Sequence, residues 1–90
     1  MTEPGWPFGG RPKPRKLWAL WKAGRLMECE ANEVRDSASE WRGVEVRVYV
    51  AGDFHYSRVH PIAEAAAAEA ETLKRDSIAA GWMDQPPLPR

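Results

Sequence analysis

The sequence predicts an α+β fold: a four-stranded antiparallel sheet built from two successive hairpins, with one C-terminal helix packed on one face. Three patterns predict it. Apolar and polar residues alternate in two pairs of strand-length runs, a glycine-bearing turn divides each pair, and a helix-length segment rich in Ala and Glu closes the series. Ninety residues suffice for one such domain. The expected organisation is a flexible, basic Pro/Gly-rich tail over 1–15, a ββββα domain over 16–82 and a Pro-rich tail over 83–90.

The first segment holds Pro4, Pro7, Pro12 and Pro14 with Gly5, Gly9 and Gly10, a density that forbids a helix and leaves too few backbone donors for a strand. Residues 16–22 and 25–31 are β-compatible runs separated by Ala23-Gly24, where glycine supplies the positive φ of a tight hairpin. Pairing Lys22 with Arg25 sets Leu20 against Met27 and Trp18 against Cys29 on the core face. Trp21 and Leu26 then fall on the opposite face, with Glu28 and Glu30 alternating against Met27, Cys29 and Ala31. Residues 32–43 read as a loop or an irregular excursion, with a bulge suspected near Trp41 and Gly43; Trp41 is left without a face.

Residues 44–50 carry four valines at strict period two and predict a central strand. Gly52-Asp53 suits a type II′ turn into residues 54–59. Pairing Ala51 with Phe54 sets Val50 beside His55, Val48 beside Ser57 and Val46 beside Val59 on the core face, and gathers Arg47, Tyr49, Phe54, Tyr56 and Arg58 on the other. Pro61 suits a first helical position, residues 62–80 are strong helix formers, and Gly81 suits a C-terminal cap. On a helical wheel Ile62, Ala66, Ala70, Leu73, Ser77 and Ala80 share one stripe, opposite Glu64, Glu71 and Arg75. Trp82 is placed to fold back over the helix end.

Composition excludes several functions. An apolar content of 43% is too rich for a wholly disordered chain. A single Cys removes any disulfide framework and any multi-thiolate zinc site. The apolar runs reach five residues, well short of the roughly 20 that span a membrane, and the first ten residues lack a secretory pattern, so a cytoplasmic chain is expected. His55 and His60 differ by five positions and point to opposite faces of a continuous strand, which denies them a shared metal. Glu28 and Glu30 read as a solvated strand face rather than a catalytic pair, and Cys29 as a small buried hydrophobe. No enzyme, cofactor or metal is expected.

Two surfaces remain. The net charge is zero, but residues 1–25 hold six basic side chains against Glu3, while the rest of the chain is acidic. Within that segment, Gly10-Arg11-Pro12 with its trailing basic residues resembles part of an AT-hook, the short motif that lies along the minor groove of A·T-rich DNA. The resemblance implies nucleic-acid contact through Arg11, Lys13, Arg15 and Lys16, although Gly9 stands where that motif has its first arginine. The second surface is the sheet face bearing Trp21, Leu26, Arg47, Tyr49, Phe54, Tyr56 and Arg58. Aromatics interleaved with arginine suit either a protein interface or a base-stacking platform. The reading is a non-catalytic protein-interaction domain, homodimeric through this face; the alternative is a nucleic-acid-binding accessory protein using the basic arm and the sheet aromatics.

Overall fold

The computed structural model describes residues 14–85. Four strands, β1 (Arg15–Lys22), β2 (Arg25–Arg35), β3 (Trp41–Val50) and β4 (Asp53–His60), form an open antiparallel sheet in sequence order, and helix α1 (Ala63–Ala79) follows. This is the α+β architecture that the alternation and the Ala-rich segment predict. The first hairpin has the expected register, Lys22↔Arg25, Leu20↔Met27 and Trp18↔Cys29.

The second hairpin differs by one residue. Its turn is centred on Ala51 and Gly52, both at positive φ (53° and 85°), and Val50 pairs with Asp53. Ala23 and Gly24 have nearly the same angles, 53° and 78°. Positive φ at both central residues marks the type I′ turn, whose twist matches that of the strands it joins. A bulge at His55 then shifts β4, so that Tyr49 pairs with Phe54 but Val48 pairs with Tyr56 and Val46 with Arg58. The expected pairs Val50–His55, Val48–Ser57 and Val46–Val59 are therefore corrected. Because side chains alternate faces at period two, the slip turns Tyr56 and Arg58 to the helix side and Ser57 and Val59 to the open side.

Residues 32–43 are more regular than expected. Strands β2 and β3 run on to Arg35 and Trp41, and only residues 36–40 turn. Asp36 organises that turn: its Oδ1 accepts from the Ala38 and Glu40 amides at 2.9 and 3.0 Å, and Oδ2 accepts from Arg42 at 2.6 Å. The suspected bulge is present, with Arg42 as the extra residue between Val34↔Gly43 and Arg35↔Trp41. Gly43 sits there at φ 141°, where a Cβ would run into the His60 carbonyl. Trp41 lies toward the helix start, its indole N–H donating to the Pro61 carbonyl at 3.3 Å.

The core lies between the sheet and α1. Trp18, Leu20, Met27, Cys29, Val44, Val46 and Val48 meet Ala66 and Ala70, whose small side chains bring the helix close. The Trp18 indole N–H reaches the Ala70 carbonyl at 2.9 Å. Leu73 and Ser77 extend the buried stripe, while its ends, Ile62 and Ala80, are exposed. The helix stops at Gly81 (φ 104°), whose amide donates to Ile78 O at 3.0 Å. Trp82 then folds back against the core, and Met83 exchanges two 2.8 Å backbone hydrogen bonds with Trp21 on the β1 edge. No helix among the described residues is long and apolar enough to cross a membrane.

Candidate interaction face

The helix packs on one side of the sheet, and no described element covers the other. Cross-strand register sets the order of residues on this open face. Trp21↔Leu26 lies nearest the two Ala-Gly turns, next comes the row Ala19↔Glu28, Glu28↔Tyr49 and Tyr49↔Phe54, and beyond it Lys16↔Glu30 and Glu30↔Arg47. The face is thus apolar and aromatic at one end and charged in the middle. Phe54 is 60% exposed, large for an aromatic, and meets Tyr49 edge to face with centroids 6.1 Å apart.

The charged rows are partly paired. Lys16 Nζ donates to Glu28 Oε2 at 2.5 Å, a contact that raises the lysine pKa through the hydrogen bond and then the charge. Arg47 Nε lies 3.0 Å from Glu45 Oε1, too poorly aligned for a hydrogen bond, while Nη1 donates to Tyr49 Oη at 3.2 Å. Three carboxylates, Glu28, Glu30 and Glu45, face two cations, Lys16 and Arg47, so the face is mildly acidic.

Five of the seven residues expected on this face are there: Trp21, Leu26, Arg47, Tyr49 and Phe54. Tyr56 and Arg58 are not. The bulge at His55 carries both to the helix side, where Tyr56 Oη and His60 Nε2 donate to the two oxygens of Glu69, and Arg58 Nη1 stands 3.9 Å from the same carboxylate. Burial would push the Glu69 carboxyl up, but the hydrogen bonds from His60 and Tyr56 and the nearby charges outweigh it, and the carboxyl lies below its ordinary value. Tyr56 is raised in turn, by its bond to Glu69 and then by burial. Sequence reasoning missed Glu69. The available signal was its position seven residues after Ile62, inside the apolar stripe, where an acid must find partners.

Of the basic arm, Arg15 and Lys16 belong to β1, and Lys16 is already engaged with Glu28; Arg11, Lys13 and the AT-hook-like stretch lie outside the described residues. Cys29 is fully buried, and burial, followed by the charges of Glu69 and Glu30, pushes its thiol up to about 11. It stays protonated and inert. Between α1 and the first half of β4 lies a hollow of about 230 Å³ over Trp18, Met27 and Val48, rimmed by His55, Tyr56 and Ser77. That is smaller than ordinary small-molecule sites, roughly 300 to 1,000 Å³. Among the described residues no three of His, Cys, Asp or Glu stand together as metal ligands. No family model, curated protein or solved structure matches the chain.

Proposed function

We propose that the protein is a non-catalytic interaction module and that its open sheet face binds a second copy of the chain. One observation carries this reading: a single helix covers a single face, leaving the aromatic end at Trp21, Leu26, Tyr49 and Phe54 with no described element above it. Four strands about 4.8 Å apart and about eight residues long present roughly 500 Å² of projected face. The accessible area of such a corrugated surface exceeds its projection, approaching the roughly 800 Å² per partner of an ordinary stable interface. Charges of both signs in adjacent rows suit a two-fold contact, in which the cations of each copy meet the carboxylates of the other.

The same charges weigh against nucleic acid. Glu28 stands directly opposite Tyr49, Arg58 faces away, and the carboxylates of this face outnumber its cations, whereas a stacking platform needs an excess of cations around its rings. The lone, buried thiol of Cys29 suits a reducing compartment such as the cytoplasm.

Sedimentation of the full chain in 0.5 M salt over a wide concentration range tests the proposal. A reversible dimer is expected, and Tyr49→Glu or Phe54→Glu should shift it to monomer while leaving the far-UV spectrum unchanged. A monomer at every concentration overturns the reading, as does a dimer indifferent to both substitutions. Trp fluorescence that responds saturably to oligonucleotides at low salt would also count against it, in favour of nucleic acid.

A further inference from the structure

We infer that the N-terminal segment of the same chain, residues 6–13, docks on the open sheet face and competes there with the second copy. The inference rests on the open face being the association surface. Three observations converge on it.

The first is reach. Residues 1–13 join β1 at Pro14, at the end of the sheet remote from the Ala-Gly turns. From Arg15 to Trp21 is six residues along β1, about 20 Å. Phe8 precedes Pro14 by the same number of residues and Trp6 by two more, reaches of about 19 and 25 Å at polyproline spacing. A chain that doubles back over the face from Pro14 therefore brings Phe8 to the row of Tyr49 and Phe54 and Trp6 toward Trp21 and Leu26.

The second is charge order. Along the face from the Pro14 end, the row of Lys16, Glu30 and Arg47 comes first, then the row that holds Glu28 with Tyr49 and Phe54, then Trp21 and Leu26. Outward from Pro14 along the segment come Lys13 and Arg11, then Gly10 and Gly9, then Phe8 and Trp6. The cations of the segment meet a face whose carboxylates, Glu28, Glu30 and Glu45, outnumber Lys16 and Arg47 by one, and its aromatic side chains meet the aromatic rows. The third is backbone chemistry. Pro7, Pro12 and Pro14 lack amide donors, which suits a segment lying across a sheet face, where strands offer side chains and no free backbone partners.

An arm that covers the face about two-thirds of the time in each copy weakens dimerisation about tenfold, since both copies must be open to associate. Its electrostatic part is screened by salt, so dimerisation strengthens as salt rises, the reverse of an association held by charge alone.

A nitroxide on Gly9→Cys in the full chain tests the placement, with the buried Cys29 thiol left in place because it is shielded from the label. Paramagnetic broadening should be strongest at the Trp21 indole and the Leu26 methyls, and weak at Leu73 and Ile78. It should fade in 0.5 M salt and with Arg11→Glu/Lys13→Glu. Broadening strongest on α1, or seen only between copies in a mixed-isotope sample, overturns the inference. In sedimentation, Trp6→Ser/Phe8→Ser should tighten the dimer about tenfold at low salt, and an unchanged or weakened dimer overturns the competition. The two failures are distinguishable. Broadening at Trp21 with no dimer in any variant removes the self-association reading and keeps the arm on the face; a dimer broken by Tyr49→Glu with no broadening at Trp21 does the opposite.

Discussion

Neighbouring residues on the same strands meet opposite fates on the two faces of the sheet. Leu20, Cys29 and Val46 are fully buried under α1, whereas Ala19, Glu30 and Arg47 beside them are only half-buried and Phe54 is largely bare. The helix-side face is closed by small residues: Ala66 and Ala70 let the helix axis approach, and Trp18 fastens it through the Ala70 carbonyl. The open face has comparable aromatic content and no such cover among the described residues. Apolar content alone therefore does not decide which side becomes core; the side that a complementary stripe can approach closely does.

The polar chemistry of the two faces differs in the same way. On the open side, Lys16 and Glu28 pair in solvent, an arrangement that contributes little to stability. On the helix side, Glu69 is largely shielded and receives hydrogen bonds from two side chains. A carboxylate there must be held by its partners, because solvent no longer serves it.

Three substitutions break or sharpen the contrast. The largest effect is expected for Leu20→Ala, which opens a cavity in the closed face and should cost about 2 to 5 kcal/mol in denaturant unfolding. A loss below about 1 kcal/mol would mean that the helix does not seal this face. Next is Glu69→Gln, expected to lose about 1 to 3 kcal/mol near neutral pH by removing charged hydrogen bonds. The native carboxyl lies below its ordinary value, so its contribution is complete above the unfolded value of about 4.3 and is lost as pH falls through the lowered native one. The stability gap between wild type and Glu69→Gln should therefore close on acidification from about pH 5 downward; a gap that stays constant would place the carboxylate in solvent. The smallest effect on folding belongs to Phe54→Thr, about 0.5 kcal/mol or less as for an exposed position. Its consequence should appear in sedimentation, as a weakened dimer, and a large loss of stability would show that the open face is structural after all.

The sequence by itself determined the first hairpin and its register, since Gly24 allows one turn and the alternation of Met27, Cys29 and Ala31 with Glu28 and Glu30 permits one facing. It determined the inward set of Val44, Val46 and Val48, the helix with its Ala66–Ala70 contact, and the stop at Gly81. It also placed Trp21, Leu26, Tyr49 and Phe54 on a common face. Only the tertiary structure decided β4. Gly52 serves equally in an Ala51-Gly52 turn or a Gly52-Asp53 turn, two local solutions one residue apart, and no alternation within residues 54–59 is strong enough to choose between them. The choice fell to contacts distant in sequence: Tyr56 and His60 reach Glu69 on the helix when the Ala51-Gly52 turn is combined with a bulge at His55. Because a strand presents its side chains at period two, the one extra residue of that bulge moved Tyr56 and Arg58 from the open face to the closed one. Local patterning fixes a residue's face wherever one register is strongly preferred; where two are nearly equal, a half-buried acid in need of partners makes the decision.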